Sequence, residues 1–74
     1  MKDFITLIAE HLSPERLHQL RRSMETMRDC AKEAMANARN ANNDYASKIC
    51  RGAYQATCHQ LKTLEWVMLT KEGD

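Results

Sequence analysis

Phe4, Ile5, Ile8 and Leu12 recur in steps of one, three and four, the spacing of one helical face, and predict a short amphipathic first helix over residues 2–12. Ser13-Pro14 ends it. Proline disfavours the helical conformation in the residue before it, while Ser13 can cap a new helix that has Pro14 at its first position and Glu15 near its positive end. From there Leu17, Leu20, Met24, Met27, Ala31, Ala34, Ala38, Ala41 and Tyr45 alternate steps of three and four, a heptad seam that predicts a second helix over 14–41.

Continued in the same register, that seam meets Lys48, Gly52, Gln55, His59 and Lys62 and turns polar. A new stripe begins instead: Ser47, Cys50, Tyr54, Thr57, Leu61, Leu64 and Met68, offset from the first by two residues. At about 100° per residue the offset would swing the apolar stripe to nearly the opposite side of a continuous helix, and coiled coils absorb insertions of three or four residues, not two. A reversal is therefore expected at residues 41–44, with Asn42 or Asn43 in the left-handed conformation and Asp44 capping a third helix over 44–70. The alternative is one helix running through the asparagines in a domain-swapped dimer.

The pattern gives an all-α fold of one domain, a short N-terminal helix on a long antiparallel hairpin. Met24 should face Leu61 and Met35 should face Cys50, while Phe4, Ile5 and Ile8 meet Leu17, Trp66, Val67 and Leu69 at the open end. Ala46, Ile49, Ala53 and Ala56 flank the third helix's stripe, and Met35 is left off the seam of the second. A dimeric four-helix bundle would bury them.

Composition sharpens this reading in four ways. A chain of 74 residues buries too little surface to be robust alone, which favours a homodimer or another partner protein. Its 11 Lys and Arg against 10 Asp and Glu leave a net charge of +1, so no global field draws it to nucleic acid or an anionic membrane. The most apolar run, FITLIA, is far shorter than the roughly 18 residues of a spanning segment and lacks the flanks of a secretory signal. Cys30, Cys50 and Cys58 form no paired framework, so a cytoplasmic protein with reduced thiols is expected, with no membrane partner.

Candidate chemistry is sparse. Cys50 and Cys58 lie eight residues apart, about 12 Å along a helix, too far to share a zinc ion at bonds near 2.3 Å, so no metal or cofactor is expected. No glycine-rich loop, nucleophile elbow or HExxH occurs, and no enzymatic activity is expected. Arg21, Arg28, Lys32 and Arg39 share a face of the second helix, interleaved with Glu25, Asp29 and Glu33 in pairs such as Glu25–Arg28 and Asp29–Lys32. Trp66 lies on the polar side of the third helix, either closing the open end or standing out as an aromatic anchor.

These features point to a non-enzymatic protein-interaction module, an adaptor or inhibitor of the kind found among accessory and phage early proteins, with Trp66, Tyr54, Arg21 and Arg28 as binding residues. The rivals are a nucleic-acid-binding regulator using the basic face, and a co-chaperone or structural subunit completed by a partner chain. In outline the hairpin resembles the plasmid-copy-control RNA-binding hairpins and the co-chaperones of type III secretion needle subunits. No diagnostic motif of either occurs, so the resemblance assigns no residue a role.

Overall fold

The computed structural model describes residues 3–72, which form α1 (Phe4–Glu10), α2 (Pro14–Asn40) and α3 (Asp44–Glu72). The expected start of α1 at Lys2 lies outside the described residues. Asp3 sets the start instead, its carboxylate accepting from the Thr6 amide at 2.8 Å. That hydrogen bond holds the Asp3 carboxyl below its ordinary pKa. Ser13 caps α2, its hydroxyl accepting from the Arg16 amide at 3.3 Å with Pro14 opening the helix.

The chain reverses between α2 and α3 through an asparagine turn. Asn42 sits in the left-handed region at φ 59°. Its amide donates to the Arg39 carbonyl at 3.1 Å and the Asn43 amide donates to Ala38 at 2.9 Å, the paired closure of a Schellman motif. Asn43 then begins the next helix, its side-chain oxygen accepting from the Ala46 amide at 3.0 Å. The cap is therefore Asn43 rather than the expected Asp44, which stands in the first turn, where its charge complements the helix dipole. A β-branched residue cannot occupy the left-handed region cheaply, so Asn42→Val should cost about 1–2 kcal/mol, whereas Asn42→Gly should change stability by only a few tenths. Urea melts of the two variants at one protein concentration check this, and equal loss in both would remove the left-handed turn.

The core lies at the open end. Leu17 and Met24 of α2 meet Leu61, Leu64, Val67 and Met68 of α3, with Ile5 and Ala9 of α1 closing over them and Leu12 and Leu20 at the edge. Helix α1 packs on α3, and α2 on α3 along the hairpin. Phe4, Trp66 and Leu69 do not join this cluster: each is at least 66% exposed, so Ile5 and Ala9 do the covering expected of Phe4 and Trp66.

The seam of α2 also differs from expectation. Met27 and Ala34 are exposed, and Arg21, Arg28 and Met35 are half-buried in their place beside Leu17, Met24, Ala31 and Ala38. Arginine reaches such positions by laying its aliphatic stem over apolar neighbours while its guanidinium stays wet. In α3, Cys50, Tyr54, Thr57, Leu61, Leu64 and Met68 are buried or half-buried, whereas Tyr45 is 78% exposed.

Candidate interaction surfaces

Because α1 covers one side only, the hairpin has two unlike faces. Leu12 lines a depression of about 240 Å³ with Arg16, Gln19, Leu20 and Ser23 of α2. Asp3, Phe4 and Ile5 line another of about 180 Å³ with His59, Gln60 and Thr63 of α3. Both are smaller than the roughly 300 Å³ at which small-molecule sites begin. They fix the side on which α1 sits, and helical spacing then places every other residue relative to it.

The face away from α1 carries the charge. Arg21 Nε lies 3.2 Å from Glu25 Oε1, and the Arg28 guanidinium lies 3.2 Å from Asp29 Oδ1. These pairings replace the expected Glu25–Arg28 and Asp29–Lys32. Tyr54 and Cys58, one turn apart on α3, face Arg28. The Tyr54 phenol is held above its ordinary pKa by its hydrogen bond with Cys58, by charge on that sulfur and by burial, with Arg28 opposing. The guanidinium of Arg28 is pushed up by its hydrogen bond to Asp29. Cys30, by contrast, is exposed.

Arg21, Arg28 and Tyr54 therefore share one face, and Trp66 does not belong to it. Trp66 projects from the side of α3 opposite the core, near Lys62 and Leu69, and is 66% exposed. The spacing had placed Trp66 on the polar register, but nothing local could tell an outward indole from one folded back under α1. Cys58 beside Tyr54 was not singled out for this face, although their i, i+4 spacing put them together.

All three cysteines are free, Cys30 exposed and Cys50 and Cys58 half-buried. Among the described residues, no three His, Cys, Asp or Glu side chains gather closely enough to hold a metal ion. Among them too, no helix is long and apolar enough to cross a membrane. Neither a protein family, nor a curated protein, nor a solved structure matches the chain.

Proposed function

We propose that the chain is a small non-enzymatic protein-interaction module, an adaptor or inhibitor, that binds through the outer faces of its helical hairpin. One observation carries the reading: large apolar side chains stand exposed in pairs. Phe4 and Leu7 share the outer side of α1 and Trp66 and Leu69 the back of α3, while Met27 and Ile49 stand on the side of the hairpin where α1 sits, in the half that it does not cover. Grouped exposed apolar residues mark protein contacts more often than isolated ones do.

Trp66 supplies the aromatic anchor, and Arg28 with Tyr54 a polar patch on a separate face. In pull-downs with the purified chain as bait, Trp66→Ala and Arg28→Glu should each lower recovery of the bound protein about tenfold, the effect of a residue worth roughly 1.4 kcal/mol. Helix content, followed by circular dichroism, should not change. Full recovery with both variants would remove these residues from the binding surface.

The shared basic side of α2 favours a second reading, nucleic-acid binding. The carboxylates of Glu25 and Asp29 compete there for the guanidinium groups that phosphates would need. Binding to duplex DNA or an RNA hairpin that collapses between low and physiological salt would favour this reading over the first.

A further inference from the structure

On the side of the hairpin where α1 sits, the half that α1 does not reach is uncharged from Leu20 to the turn. Met27, Cys30 and Ala34 of α2 and Ile49, Ala53 and Ala56 of α3 share it, all exposed. Helix α1 occupies the same side at the open end, so a helix already seats in this groove where it can reach. It stops at Glu10, and the half nearer the turn remains bare.

Gly52 adds an independent observation. It lies inside α3, between Ile49 and Ala56 on the margin of this face, and a Cβ built there meets nothing within 4 Å. Glycine within a helix costs about 1 kcal/mol relative to alanine, and the chain's own packing gives no reason for it. The close approach of a second backbone would.

The dimensions indicate what approaches. The accessible surface is 5748 Å² for an 8.6 kDa chain, whereas a compact monomer of that mass exposes about 4700 Å². The radius of gyration is 14.7 Å against about 11.3 Å for a compact domain of this length. The surplus, roughly 1000 Å², exceeds the roughly 800 Å² that each partner buries in an interface of standard size. At a net charge of +1, two copies repel little, and an uncharged face can pair with itself without burying an ion.

We infer that the bare half of this face, centred on Ala34, Gly52 and Ala53, seats the same half of a second copy of this chain. The inference rests on the interaction-module reading and assigns one of its partners. The two α1 helices bound the overlap at either end, and the small side chains let the helices of the two copies approach closely. The charged faces carrying Arg28 and Tyr54 stay outermost, open to a different protein.

Sedimentation equilibrium of the full chain tests this, with reductant present because Cys30 is exposed. The native chain should be a dimer at tens of micromolar. Gly52→Gln should leave helix content undiminished yet raise the dimer dissociation constant at least tenfold, and Ala34→Gln on the facing helix should do the same. Lys32→Gln, on the charged face, should leave the dimer intact. A monomeric native chain would overturn the inference while leaving the interaction reading to its pull-down test. A dimer that survives both Gly52→Gln and Ala34→Gln would also overturn it, by placing self-association on another face.

Discussion

Leu64→Ala should cost about 2–5 kcal/mol, enough to leave the chain marginal or unfolded at room temperature. Leu64 is 0% exposed and sits where all three helices meet, with Leu17 and Met24 on one side and Ile5 and Ala9 on the other. No neighbour can collapse into the space of a deleted isobutyl group without pulling one helix off the other two, so the cavity term adds to the lost burial. A chain of this length holds roughly 4–11 kcal/mol in total. The melting temperature should therefore fall by at least about 10 °C at matched protein concentration. Trp66→Ala, two residues along the same helix, should move stability by no more than about 0.5 kcal/mol because Trp66 is exposed. Equal losses in the two variants would mean that α3 is rotated from the orientation described here.

Ala9→Asp is expected to detach α1. Ala9 is 0% exposed against α3, where an ionised carboxylate would lie among the apolar side chains of Leu64, Val67 and Ile5. Burying such a charge costs several kcal/mol, more than a seven-residue helix docked through a few side chains can offset. The amides of α1 should lose hydrogen-exchange protection, while those of α2 and α3 near the turn keep theirs. The loss should shrink on acidification. A carboxyl buried in apolar surroundings has a raised folded-state pKa, so its penalty is full well above that value and lifts as pH falls toward the unfolded value near 4. Leu7→Asp, on the outer side of α1, should be close to neutral. Retained protection of α1 in the Ala9→Asp variant would show that α1 does not depend on this contact.

How much of this was legible in the sequence differs from helix to helix. In α3 three- and four-residue steps gather Cys50, Leu61, Leu64 and Met68 into a single apolar stripe, and those side chains point inward. In α2 two ladders interleave, one through Leu20, Met27 and Ala34 and the other through Arg21, Arg28 and Met35, with Leu17, Met24, Ala31 and Ala38 common to both. Hydrophobicity favours the first. The folded chain turns the second toward α3 and leaves Leu20 at the edge of the core, on the side where α1 lies. Of the binding residues, Arg21, Arg28 and Tyr54 fall on one face and Trp66 on another, a division that needs the azimuth of each helix about its axis.

The sequence by itself determined what local forces decide: three helices, the Ser13-Pro14 start of α2, the reversal at the asparagines and the inward stripe of α3. Steric limits on proline and on left-handed backbone, together with helical periodicity, act within a few residues and need no partner. Only the tertiary structure decided the rotation of α2, the outward Trp66 and the contrast between a charged face and a bare one. Each depends on how the helices settle against one another, with Ile5 and Ala9 buried against residues of α3 more than fifty positions away.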